Sequence, residues 1–299
     1  MSSPVVLRES LAPPESASKA EDRCRIVHDG SFPGFLCASA EAINLVRRGS
    51  PVPGMGRASE EPGLFDIPLG VRSDEIRAIS LWRRLSARAG ESVLQTCHDA
   101  FCSDREGVED AILGIFLRIV GCDARVDARG GEHSLASGVD RGGALILDDL
   151  SDAGVCLVVR AAMRTRAQAH LVTGLLRFAE LADGWWYARF QSDCALLTLI
   201  GGHFASRFPG MRFAIHDTRR KDAIIHLPGR PWHIVRDFSV GNRGESGEPP
   251  FSEDENRLRA CWLSYFSSVA IAERKNPRLQ SGHMPKKYWN DLPEMRPRL

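Results

Sequence analysis

Residues 211–238 read MRFAIHDTRRKDAIIHLPGRPWHIVRDF, and this stretch decides the fold class. Three strands are expected in it, over Met211–Asp217, Asp222–Leu227 and Trp232–Phe238; in the first, Met211, Phe213 and Ile215 alternate with Arg212, Ala214 and His216. Gly229 and Pro231 punctuate the last two. Short turns between successive strands give an antiparallel meander. Just upstream, Leu171–Glu180 and Trp185–Gln191 flank Ala182-Asp183-Gly184, where Asp-Gly signals a tight hairpin. The apolar density of Cys194 to Phe208 predicts a helix between hairpin and meander. Downstream, residues 240–250 read as an acidic, Gly-rich loop. Ser252-Glu253-Asp254-Glu255 then forms a capping box. It opens a helix with Leu258, Trp262, Tyr265, Phe266 and Val269 at helical spacing. That helix is expected to end in Arg274-Lys275, before Asn276-Pro277.

The first half of the chain is mainly helical. Residues 1–22 hold Ser, Pro, Ala and Glu and read as a disordered extension. Cys24–His28 predicts a strand, Asp29-Gly30-Ser31 a turn, and Phe32 to Val46 a helix. Residues 48–72 are rich in Pro and Gly and read as a linker. Three helices follow. Ser73 is the expected N-cap of the first, which would bury Ile76, Ile79, Trp82 and Leu85. Val93, Leu94, Cys97, Ala100 and Phe101 form the stripe of the second; Val108, Ile112, Ile115 and Ile119 form that of the third. Residues 121–153 read as an irregular insertion, and Gly154 to Ala169 returns to helix. The expectation is one α+β domain over 23–294, with 295–299 as a tail: an antiparallel sheet made of hairpin, helix and three-strand meander, packed with helices.

Composition narrows the chemistry. The chain has 299 residues and a formal net charge of +1. A polyanion partner would therefore need local clusters of Arg and Lys rather than a global field. The eight cysteines include no Cys-x-x-Cys pair, which argues against a zinc ribbon or an iron–sulfur site. They read as reduced thiols. No P-loop, no Gly-x-Ser-x-Gly elbow, no zinc-deaminase signature and no radical-SAM cysteine triplet occurs. No cofactor or metal is predicted. There is no secretory signal and no apolar run near the roughly 20 residues that span a bilayer. A cytoplasmic location is the expectation.

Three constellations could carry function. Strand parity allows Arg177, Tyr187, Arg189, Arg212, His216 and His226 to share an open sheet face, where cations meet phosphates and rings stack on bases. An ordinary solvated face would carry the same residues. Secondly, His203 and Arg207 lie four apart on a helix, while His216 and Asp217 run into Arg219 and Arg220. His203, His216 and Asp217 are candidates for general acid–base work; hydrogen-bonded strand-end residues are the competing reading. Thirdly, Arg274, Lys275, Arg278, Lys286 and Lys287 cluster beside Tyr288 and Trp289, a mix suited to phosphate contact and stacking. Trp289 itself is expected to pack.

Several stretches together resemble one family. They are HDGSFPGFL (28–36), LFD (64–66), GLLRFAELADGWWYARF (174–190), HFASRFPGMRFAIHDTRR (203–220) and AIAERKNPRLQSGHMPKKYWNDLPE (270–294). They resemble a bacterial domain-of-unknown-function family assigned to DNA metabolism and repair. Its members stand beside a radical-SAM protein of DNA modification or repair, and the domain is also found fused to uracil-DNA-glycosylase-like domains. The sequence departs from the family at Ser192-Asp193-Cys194-Ala195, where a Pro-Asp-His-Asn-like segment is usual, and at Thr198 and Gly202, where prolines are common.

The resemblance and the basic, aromatic C-terminal half imply a DNA-associated protein. It would bind single-stranded or damaged DNA and act with a radical-SAM partner, with a uracil-DNA-glycosylase-like protein as a further partner. One alternative is an enzyme acting on damaged or modified nucleotides through His203, His216 and Asp217. Another is a protein–protein adaptor without nucleic-acid contact.

Overall fold

The computed structural model describes residues 23–61, 63, 66–122, 146–240 and 249–295. The expected 1–22 extension, most of the 121–153 insertion, most of the 240–250 loop, Leu64-Phe65 and most of the tail lie outside the described residues. The chain divides into two compact units, Met1–Leu81 and Trp82–Leu299, where a single domain is the sequence expectation. The fold is α+β.

In the first unit, β1 (Arg23–His28) turns sharply at Asp29-Gly30-Ser31 into α1 (Phe32–Arg47). Gly30 has φ +80°, a conformation that glycine adopts without strain. Ser31 caps the helix by accepting the Gly34 amide at 3.0 Å, and Pro33 sits in the first turn. Phe35, Leu36 and Ile43 are buried. The stretch read as a linker instead supplies two strands, β2 (Gly54–Arg57) and β3 (Asp66–Gly70), which flank β1 in parallel. Their glycines and Pro68 hide them from propensity, and β3 is an edge strand, where a proline costs no central ladder bond. Arg25 ties this sheet by donating to the Met55 carbonyl at 3.1 Å and to Glu60 at 2.6 Å.

Helix α2 (Glu75–Ala89) crosses the unit boundary. Its cap is Asp74, not Ser73: the Asp74 carboxylate accepts the Arg77 amide at 2.9 Å. The expected stripe is also displaced. Ala78, Leu81, Leu85 and Ala89 are buried, whereas Ile76 is 83% and Ile79 48% exposed. Strict steps of three residues drift around a helix of 3.6 residues per turn, so a run of four such positions cannot share one face.

In the second unit, α3 (Glu91–Phe101) and α4 (Val108–Ile119) bury the expected stripes, and α5 (Ala153–Leu175) packs against both. Asp152 caps α5 by accepting the Val155 amide at 2.9 Å. The helix runs on through Leu175, overriding the strand expected from Leu171 and leaving β4 as Ala179–Glu180 alone. Then come β5 (Trp186–Phe190), α6 (Leu197–Arg207), β6 (Phe213–Asp217), β7 (Asp222–His226), β8 (His233–Val235), α7 (Glu253–Val269) and α8 (Pro277–His283).

The sheet order is β4-β5-β6-β7-β8. It is mixed, not purely antiparallel, because β5 and β6 run parallel. Helix α6 carries the chain back to the starting edge, the connection that parallel neighbours require. Gly201 of α6 lets the Trp232 ring approach, since a Cβ there would meet that ring at 3.0 Å.

Both sheet faces are covered. Ala188, Phe190, Phe213, Ile215 and Ile224 pack with Leu197, Ile200 and Phe204 of α6. On the other face Tyr187, Ala214 and Leu181 pack with Ile225, Phe238 and Phe251. The capping box of α7 is half realised: Ser252 accepts the Glu255 amide at 3.0 Å. The Glu255 carboxylate turns instead to the Glu180 amide at 3.3 Å and to Arg259 at 2.6 Å, tying α7 to the sheet edge. No residue of α7 is buried.

One polar cluster joins α3 to α5. Arg166 donates to Asp99 at 2.6 Å and to Thr96 at 3.0 Å. His98 Nδ1 lies 3.3 Å from the same carboxylate. Burial acts to lower the His98 pKa, but Asp99 and Cys102 outweigh it and push it up to about 10. A raised histidine stabilises the fold fully below its unfolded value of about 6.5, and that stability is lost as pH rises through about 10. In an NMR titration the His98 ring should therefore stay charged to about pH 10. Urea stability should fall between neutral pH and that value in wild type, and fall less in His98→Gln.

Candidate nucleic-acid interface

The strand β6 ends in Asp217, which is fully buried. Its Oδ1 accepts the Arg219 amide at 3.1 Å, folding the basic turn back on itself, and its Oδ2 accepts Arg220 Nη1 at 2.9 Å. Burial pushes the Asp217 carboxyl up against the pull of Arg220. Arg220 does more. Nη1 also donates to the Ser192 and Cys194 carbonyls, both at 3.1 Å, and Nη2 to the Asp193 carbonyl at 2.8 Å. Nε donates to Asp104 at 3.1 Å, and Nη2 pairs with the same carboxylate. One guanidinium thus fixes the end of β6, the loop at 192–194 and the loop between α3 and α4.

That loop presents Asp193, whose carboxylate meets three cations from three parts of the chain. Arg219 lies at 2.8 Å, Arg164 of α5 at 3.3 Å and Lys287 at 3.7 Å. Slight burial acts to raise the Asp193 pKa, but Lys287, Arg219 and Arg164 outweigh it and hold the carboxyl below its usual range. Lys287 also donates to Gln168 at 2.8 Å, as does Ser192. Arg160, Arg164 and Gln168 follow at helical spacing on α5, and Arg160 and Arg164 are exposed. A single carboxylate cannot neutralise Arg164, Arg219 and Lys287, so the patch keeps a positive surplus.

The other residues singled out from sequence fall elsewhere. His203 is exposed on α6, its ring edge-on to Phe204 at 5.0 Å. His216 is buried, bonded through Nδ1 to the Tyr187 hydroxyl at 2.9 Å and packed on Phe238, within the cluster on the sheet face away from α6. The sheet therefore separates His203 from His216, and Asp217 is engaged by Arg220. These three do not converge on one pocket.

The expected open face is corrected too, because that face carries its own core. Tyr187 is buried and cannot stack on a base. His226 pairs in register with Phe213, is buried, and meets the Met211 carbonyl at 2.9 Å. Arg189 donates to Asp291 at 2.9 Å. Arg212 donates to the Gly184 and Asp183 carbonyls and lies over Trp185, and Arg177 donates to the Gly174 carbonyl at 3.2 Å. Arg207 is exposed beside Phe208.

In the C-terminal stretch, Arg274 is exposed at the end of a 3-10 turn, and Lys286 is exposed with its ammonium 5.8 Å from the Trp289 ring. Trp289 is held by its indole N–H on the Met284 carbonyl at 2.9 Å. Tyr288 is buried, and burial pushes its phenol up to about 12.

Of the sequence candidates, Arg219, Arg220 and Lys287 come together. Arg164 and Gln168 are not among the sequence candidates, and Asp193 stands there only as part of a departure from the family, although the Arg160–Arg164 spacing on an expected helix is a readable signal.

The α+β unit and its loop-borne cationic cluster define a domain rather than a chemistry. The chain belongs to the DUF4130 family, a domain of unknown function whose model matches residues 133–294. No curated protein and no solved structure matches it. Among the described residues, no helix is long and apolar enough to cross a membrane.

Asp217 is accordingly a structural carboxylate. Asp217→Ala should lower stability by about 3 kcal/mol, since the partly buried Arg220 loses one of its two carboxylates and the Arg219 amide loses its acceptor. Urea unfolding checks this, and Asp217→Asn should keep part of the loss back because its amide oxygen still accepts.

Proposed function

We propose that this protein binds nucleic acid in DNA metabolism or repair, gripping backbone phosphates at Arg164, Arg219 and Lys287. The observation that carries the reading is the meeting of these three cations at one carboxylate. A phosphate can approach the same side chains without any burial of bare charge, because the cations are half exposed. Lys286, next to Lys287 in the chain, and Arg160, one helical turn before Arg164, are exposed cations that can add to the patch. With Tyr187 and Tyr288 in the interior, neither ring can stack on a base, and affinity at this patch rests on phosphate contact. Such contacts alone carry little sequence information, which suits a protein that meets strands of any sequence.

The likeness to a DNA-repair family supports the same reading. It adds a radical-SAM repair protein as working partner, with a uracil-DNA-glycosylase-like protein as a second. In this scheme the present chain holds the strand while the chemistry belongs to the partner.

Fluorescence anisotropy with a labelled single-stranded oligonucleotide tests the proposal. An Arg219→Ala/Lys287→Ala chain should bind at least roughly tenfold more weakly at low salt. Its log K against log salt slope should be shallower by about 1.4, two single-strand contacts at about 0.7 each. Equal affinity and slope in both proteins would remove the site. Binding of acidic polypeptides with no oligonucleotide binding would favour an adaptor instead.

A further inference from the structure

The last turn of α3 carries a separate constellation. Cys102 is its C-cap. The sulfur lies 3.8 Å from His98 Nε2, one helical turn earlier, and 3.9 Å from Thr198 Oγ1 on α6. His98 Nδ1 faces Asp99 Oδ1 at 3.3 Å. Asp99 is 3% exposed and is itself held by Arg166 at 2.6 Å and by Gln95 at 2.9 Å. A nucleophile, a charged imidazole that can hold its proton and a carboxylate that orients the imidazole therefore stand in series. Helical spacing sets the first link, since residues four apart share a face.

Accessibility limits the reagent. Cys102 is 5% exposed, so the sulfur admits only a small molecule. Soft sulfur reacts readily with the weak O–O bond of a peroxide. The charge balance suits this step. His98 and the side chain of Arg166 supply positive charge, Asp99 supplies negative charge, and Thr198 offers a neutral hydroxyl from the facing helix.

We propose that Cys102 is a reactive thiol, paired with His98 and oxidised by small peroxides. In the reactive form the thiol proton sits on His98. The sulfur attacks one oxygen of hydrogen peroxide, forming the S–O bond as the O–O bond breaks. The leaving hydroxide takes the proton from His98 and departs as water. Sulfur loses two electrons and becomes a sulfenic acid, and the peroxide is reduced. The Thr198 hydroxyl can donate to the leaving oxygen. Asp99 is a positioning residue that fixes the imidazole. The site is placed to matter, because the Cys102 carbonyl accepts the Ala195 amide at 2.7 Å, next to the loop that presents Asp193.

The test treats the whole native chain near neutral pH with hydrogen peroxide, removes the peroxide with catalase, unfolds the chain in urea containing dimedone so that buried and exposed sulfenic acids are trapped alike, and maps adducts by mass spectrometry. Cys24 and Cys261 are exposed and serve as accessible references; Cys97, whose thiol burial pushes up to about 12, serves as an inert one. Cys102 should label on the order of tenfold faster than Cys24 or Cys261. His98→Gln should abolish that advantage, and Asp99→Asn should shift the pH at which labelling rises while leaving the thiol in place. Labelling of Cys24 and Cys261 ahead of Cys102 in wild type would overturn the proposal, as would an unchanged Cys102 rate in His98→Gln. The wild-type ranking decides alone if the His98→Gln chain does not fold.

Discussion

The Arg220 guanidinium is the contact on which the cationic surface depends. Its planar fork reaches two carboxylates and three backbone carbonyls at once. Lysine has the charge but not the fork, and could satisfy only some of these acceptors. Asp217 and Asp104 together more than offset the single guanidinium charge, so Arg220 adds nothing to the cationic surplus and its effect is geometric. It closes the 192–194 loop against the end of β6 and sets where Asp193 stands. Asp193 in turn gathers Arg164, Arg219 and Lys287, which come from α5, from the turn after β6 and from the C-terminal stretch. Without the knot, three mutually repelling cations would have no reason to share a surface.

Much of the fold was legible where one period governed a segment. The stripes of α3 and α4 and the strands β6 and β7 follow from spacing alone, because each buries a continuous face. Legibility failed where tertiary contacts override local preference. Strands β2 and β3 hold Gly and Pro, and only pairing with β1 makes them strands. The parallel β5–β6 pair could not be read from short spacing, because α6 sits between them and decides direction. In α5 the helix outran the Leu171 boundary, as nothing before Gly174 breaks it. The capping box of α7 was half right: Ser252 caps, but Glu255 found a better partner in the Glu180 amide.

The site was legible only in pieces. Arg219, Arg220 and Lys287 stood out as basic residues beside turns. Their convergence needed Arg164 and Asp193, which lie far off in the chain or look like ordinary loop polarity. Strand parity put Arg189 and His216 on one face, where they pair in register, but parity cannot say whether a face is open. Phe238 and Phe251, from outside the central strands, cover that face. His226 was misassigned because its partner in register is Phe213, not a residue on the His216 face.

Amide hydrogen exchange of Arg220→Lys against wild type probes the knot most directly. The substitution keeps the charge and removes the fork. The Cys194 and Ala195 amides, bonded to Ser192 Oγ and the Cys102 carbonyl, should exchange at least roughly tenfold faster, while the β6–β7 ladder keeps its protection. Unchanged protection at Cys194 and Ala195 would contradict the account, because the loop would then hold its place without the guanidinium.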